Sequence, residues 1–155
     1  MTSNIKIQGY SELERSVGSL IKYIDNPLST FKFARLIMLQ DVFDHFTKEE
    51  SPEGAWQPLK IIGMSESGKI TSYRLRKGEA TSSKILQDTG RLRNSITGVV
   101  SSKGAEVGTN LVYAKTHQYG DPKRNIPQRT FVWLSKQAQE RIFTKFIKDM
   151  KDVTN

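Results

Sequence analysis

The sequence predicts an α+β fold: N-terminal helices, a small antiparallel sheet with an extended loop or hairpin, and a C-terminal amphipathic helix. Three observations carry that prediction. Apolar residues recur at helical spacing near both ends of the chain, a hairpin pattern lies between them, and no succession of βα units is visible. A length of 155 residues suits one domain around one core. Within residues 1–155 the reading places a helical part at 1–47, an extended arm or loop at 48–84, and an α+β part with the C-terminal helix at 85–155.

The first helix opens at Ser11-Glu12-Leu13-Glu14, a capping-box pattern in which the Ser11 hydroxyl accepts from the Glu14 backbone N–H. Leu13, Val17, Leu20, Ile21 and Ile24 then give it one apolar face. Asp25-Asn26-Pro27 breaks the helix, and Ser29 or Thr30 is placed to cap a second one. In that second helix Phe31, Ala34, Met38, Val42 and Phe46 run beside Phe33 and Ile37. So wide an apolar arc requires burial on more than one side, within the chain or against a neighbouring subunit. From Thr47 to Lys84 periodicity fades, and prolines and glycines punctuate the short runs Leu59–Ile62 and Ile70–Tyr73. Such a long connection reads as an arm that orders against partners. A short helix-like stretch follows around Ile85–Arg93. Then Ile96–Ser101 and Ala105–Gly108 flank Ser102-Lys103-Gly104, a turn signal that makes the pair an antiparallel hairpin. Leu134, Ala138, Ile142, Phe143, Phe146, Ile147 and Met150 define the C-terminal helix, with Ser135 as its cap.

Charge is unevenly placed. The chain carries 24 Lys/Arg and 16 Asp/Glu, net +8, and the first 50 residues are slightly acidic, so the whole excess lies beyond them. Lys69, Arg74, Arg76, Lys77, Lys84, Arg91 and Arg93 form a candidate assembly or DNA-facing basic patch. An acidic protein surface satisfies it as well as nucleic acid does. The longest apolar runs, such as Leu36–Leu39, fall far short of the roughly 20 residues of a membrane span, and no leader pattern opens the sequence. The absence of cysteine removes disulfides, thiolate metal sites and cysteine nucleophiles.

No pattern points to chemistry. Gly63–Lys69 matches the first seven positions of a phosphate-binding loop, but Ile70 stands where a magnesium-binding hydroxyl belongs, so the segment reads as a Gly/Ser-rich turn between short strands. His45 and His117 lack the paired spacing of metal ligands, and His45 reads as a packed or surface residue. His117 follows Tyr113 by four residues, which puts both rings on one helical face within reach of a neighbouring backbone. Gly18-Ser19 lacks the flanks of a nucleophile elbow. The carboxylate pairs Asp41/Asp44 and Glu12/Glu14 read as solvated helix edges. Trp56, Tyr113, Tyr119, Phe131 and Trp133 suit a core, the default reading, or a subunit interface, and Arg124 and Arg129 are read as carriers of bidentate contacts to carboxylates on a neighbour or to phosphate.

Several small motifs are informative as an ordered set. Gly54-Ala55-Trp56-Gln57-Pro58-Leu59, then Ile85–Ile96 with its Asp88-Thr89-Gly90-Arg91-Leu92 centre, come first. Val107–Asn110, Tyr113-Ala114-x-x-His117-Gln118-Tyr119-Gly120 and Ile126-Pro127-Gln128-Arg129-Thr130-Phe131 follow. Together they resemble the bacteriophage virion morphogenesis family of tail completion proteins over about residues 44–150. The resemblance implies a non-enzymatic structural protein without a cofactor or metal, made in the host cytoplasm and incorporated in the virion at the head–tail junction or tail end. It implies other phage head-neck or tail proteins as partners and a homo-oligomeric ring, a hexamer by family resemblance. Non-specific contact with channel DNA and no contact with a membrane complete that expectation. The alternative drawn from the basic segment is a nucleic-acid-binding domain without enzymatic activity. Trp56, Gly90, Tyr113, His117, Gln118, Gly120, Pro127, Arg129 and Phe131 form the candidate structural motif. One departure is Thr130, where the family commonly has proline, which predicts a less rigid 127–131 loop.

Overall fold

A computed structural model describes residues 10–58 and 84–154. In order these are α1 (Tyr10–Asp25), α2 (Leu28–Lys48), β1 (Glu50–Ser51), β2 (Gly54–Ala55), α3 (Arg91–Asn94), β3 (Thr97–Ser101), β4 (Gly104–Gly108), α4 (Ala114–Tyr119), a 3₁₀ turn (Pro122–Arg124) and α5 (Lys136–Thr154). This is the α+β arrangement the sequence predicts. The runs at 59–62 and 70–73, the Gly63–Lys69 segment, and Lys69, Arg74, Arg76 and Lys77 lie outside the described residues.

Helix α2 is the axis of the fold. It packs on α5, on β3 and on β4, while α1 packs on α5. Burial on several sides explains its broad apolar arc. The core gathers Val42 and Phe46 of α2 with Trp56, Ile85, Leu92, Ile96, Ala114 and Phe131, so residues from several segments ahead of α5 converge on the C-terminal half of one helix. Strands β3 and β4 pair antiparallel from Thr97↔Gly108 to Ser101↔Gly104 around Ser102-Lys103, and β1 pairs with β2 through Glu50↔Ala55 and Ser51↔Gly54. Gly98 is where β3 crosses α2: a Cβ there would lie 2.7 Å from Arg35 Cγ, so any side chain would push the hairpin off the helix.

Four local readings of the sequence need correction. Ser11 does not cap α1, which begins at Tyr10; its hydroxyl bonds Glu12 instead. Ser29 and Thr30 do not cap α2, which begins after Pro27. Their hydroxyls donate to Asp149 Oδ2 at 2.6 and 3.0 Å, joining the start of α2 to the end of α5. The helix-like stretch at 85–93 contains only the single turn α3, because Leu86 (φ 60°) and Gly90 (φ 70°) both take left-handed backbone and interrupt any continuous helix. The Ser135 cap is present: its Oγ accepts the Ala138 N–H at 3.2 Å. Asp41 is no solvated edge, since its carboxylate accepts both the N–H and the Oγ–H of Ser135, at 2.8 and 2.7 Å.

Candidate functional site

The motif residues meet on one side of the core, around the aromatic trio Phe46, Trp56 and Phe131. Phe46 lies 5.7 Å from Trp56, edge-on at 87°, and 5.3 Å from Phe131. The indole N–H of Trp56 donates to the Thr130 carbonyl at 3.0 Å, and its backbone N–H to the Glu49 carbonyl at 2.7 Å. Trp56 thereby ties the end of α2 to the segment before α5.

Gln118 is the second tie. From α4 its Oε1 accepts the backbone N–H groups of Phe131 and Val132, both at 3.0 Å, and its Nε2 donates to the Val132 carbonyl at 2.9 Å. One side chain thus satisfies three backbone groups of a segment that has no strand partner. Arg129 is the third. It is buried, and its Nε and Nη2 donate to the Gln57 carbonyl at 3.0 and 2.9 Å, so it faces the fold's own backbone and not a neighbour's carboxylate or a phosphate. Burial lowers its pKa, and the Glu49 carboxylate opposes that shift. Arg124 is exposed but also bonds its own chain, donating to Asp121 Oδ2 at 2.6 Å and to Thr116 Oγ1 at 3.1 Å. This contact holds the exposed Asp121 carboxyl below its ordinary range.

Around these ties the backbone is tightly specified. Gly120 has φ 74°, and a Cβ there would come within 2.9 Å of Gln128 N, so both conformation and space demand glycine. Arg129 N–H donates to the His117 carbonyl at 2.8 Å, and Asp121 and Ile126 exchange backbone hydrogen bonds at 2.8 and 2.9 Å, closing the turn that contains Pro122 and leads to Pro127. Thr130 bonds through its side chain both within the loop and to α4. Its Oγ1 accepts from Gln128 Nε2 at 3.0 Å and reaches the Gln118 carbonyl at 3.4 Å.

The structure separates the two histidines by role. His45, read from sequence only as packed or exposed, is buried and stacks on Trp133 at 4.1 Å; its Nδ1 donates to the Phe131 carbonyl at 3.1 Å. Because a carbonyl can only accept, this contact places the proton on Nδ1. His117 shares a face with Tyr113, ring centroids 6.2 Å apart at 84°, as the spacing predicts. Its ring does not fix the turn, however, since Nδ1 is buried without a partner and only its backbone carbonyl is bonded. Burial, with the nearby Arg129 charge, lowers the His117 pKa, so the ring is neutral near neutral pH. A cleft of about 230 Å³ opens between His117, Tyr113, Gly90 and Arg129.

Of the candidate basic patch, Lys84 and Arg91 are exposed. Arg93 is not part of that face: its guanidinium lies over the Phe43 ring, 5.1 Å from the centroid. Trp56 and Phe131 are core residues as expected, whereas Tyr113 and Tyr119 are exposed, Tyr119 by 67%. The contributions of His45, Asp41, Glu49 and Asp149 escaped the sequence reading. For three of these the signal available was helical spacing, Asp41–His45 and Lys145–Asp149 each being i,i+4 pairs.

Among the described residues no group of three or more His, Asp or Glu converges as metal ligands, and no helix is long and apolar enough to cross a membrane. Trp56, Gln118 and Arg129 thus join separate chain segments through their backbone groups. No curated protein and no solved structure matches the chain. Its sequence does match the phage virion morphogenesis family over residues 12–151, which extends the resemblance through both N-terminal helices. Motifs that build architecture, on a chain matched almost throughout, make this protein a member of the phage virion morphogenesis family, a virion-associated assembly component.

Proposed function

We propose that the protein completes the tail or joins it to the DNA-filled head, working as one subunit of a ring. The observation that carries this reading is the use of the family motif. Trp56, Gln118, Arg129 and Gly120 are engaged by backbone groups of their own chain, and what they produce is a shaped, pre-organised surface. Pre-organisation lowers the ordering cost of docking, which suits a part that must seat on a preformed complex. Next to that surface Val112, Tyr113 and Tyr119 are exposed, a combination of apolar body and polar tip favoured at protein interfaces.

A phage lacking this gene tests the reading. The expected result is filled heads accumulating apart from tails, or tails of abnormal length or end structure in electron micrographs, restored by the protein supplied in trans. Normal tailed particles would overturn it. The exposed Lys84 and Arg91 bear on a second, compatible contact with channel DNA. If it exists, duplex binding by the purified protein is weak, indifferent to sequence and steeply reduced by salt.

A further inference from the structure

Helix α1 faces the solvent with its apolar side. Its inward edge carries Ser16, bonded to the Thr154 carbonyl at 3.4 Å, and Tyr23, whose ring lies 5.9 Å from Phe146. On the outer side Leu13, Val17, Ile21 and Ile24 are 62, 44, 55 and 55% exposed. Their spacing puts them in one stripe, and eleven residues of helix make it about 16 Å long. A helix exposed in an isolated protein carries polar residues there, so a continuous apolar stripe marks a contact surface.

The same chain carries a matching recess. Phe31, Ala34 and Met38 of α2, with Leu134, Ile142 and Phe143, line an apolar groove of about 480 Å³, and Phe143 is 64% exposed. A second hollow of about 390 Å³ shares Phe143 with the first and is lined further along α5 by Ile147, Lys148, Lys151 and Asp152. From Gln139 to Lys151 this track is about 18 Å long, close to the length of the stripe. Charges at the ends also correspond. Glu12 and Glu14 flank Leu13, Lys148 and Lys151 flank Ile147, and none of the four has an ion-pair partner among the described residues.

We propose that the α1 stripe of one copy seats in the α2–α5 groove of the next, α1 running antiparallel to the α5 it meets. The two glutamates then face the two lysines, and Ile21 lies beside Phe143. Stripe and groove are different surfaces, so the contact is head-to-tail, the type that builds a ring when its rotation closes. This deepens the ring reading above by naming its subunit interface.

Two exposed positions test it without disturbing the core: Ile21→Glu on the stripe and Phe143→Glu on the groove, with thermal unfolding as the check on each fold. Sedimentation is expected to show each variant as a monomer under conditions where the unaltered protein associates. Mixed in equal amounts, the two variants still offer one intact stripe and one intact groove, so they should form a dimer and stop there. Variants that associate normally, or a mixture that stays monomeric, would overturn the contact. If the unaltered protein is itself monomeric in solution, cross-linking in particles decides, and the cysteine-free chain provides a clean background. Particles assembled from I21C and F143C chains together should yield, on oxidation, a disulfide between one of each. Disulfides only between two I21C chains, or none, would overturn the interface, whereas particles that never incorporate the protein would count against the assembly reading.

Discussion

Gln118 holds three backbone groups with one amide, and a side chain without polar atoms would leave all three unsatisfied. Replacing Gln118 with Leu is therefore expected to cost about 2–3 kcal/mol, read as a lower urea midpoint with unchanged slope. Gly120→Ala combines a left-handed backbone with a contact on Gln128 N that neither backbone can yield. It should lose more than about 1 kcal/mol by the same measurement. His117 is a contrasting case. Since its buried Nδ1 has no hydrogen-bond partner, His117→Gln should leave the urea midpoint close to unchanged, so that any loss of particle yield reports on the cleft it lines. The motif was legible in the sequence as a set of unusual residues in order, but their partners were not. Arg129 looks outward on a list of charges, and only the fold shows that the Gln57 carbonyl, 72 residues away, has taken it.

Elements whose signal is local were the legible ones. The β3–β4 hairpin follows from a turn between alternating residues, and α5 from its apolar spacing and the Ser135 cap. Where a distant group intervenes, local rules mislead. Ser29 and Thr30 have the chemistry of caps, yet Asp149 claims both hydroxyls and also accepts from Tyr23 and Lys145, so one carboxylate joins α1, α2 and α5. Burial raises the Asp149 pKa, but the donors from Lys145, Ser29 and Thr30 outweigh it and bring the value down to about 2. A carboxyl with a folded pKa below its unfolded value of 3.8 stabilises the fold fully above about pH 4 and loses that contribution as pH falls toward 2. Amide exchange in α1 should accordingly accelerate between pH 4 and pH 2, beyond the intrinsic pH effect, before that of the Phe46 turn of α2. In Asp149→Asn this additional pH dependence should disappear.

At the scale of the molecule, what holds α1 is narrow: Ser16, Tyr23 and the packing of its inner edge on α5, while α2 is gripped by two strands and a helix. The Asp149 junction also imposes an order of events during synthesis. Tyr23 and Thr30 leave the ribosome long before Asp149, 126 and 119 residues ahead of it. At bacterial elongation rates that interval is roughly 6–25 s. Throughout it the nascent N-terminal helices have no C-terminal helix to close upon, and their apolar faces are open to anything in the cytoplasm. Final closure therefore waits until α5 has left the ribosome, and a premature stop ahead of Asp149 would leave α1 and the start of α2 without that junction, although the lost codons lie far from those of α1.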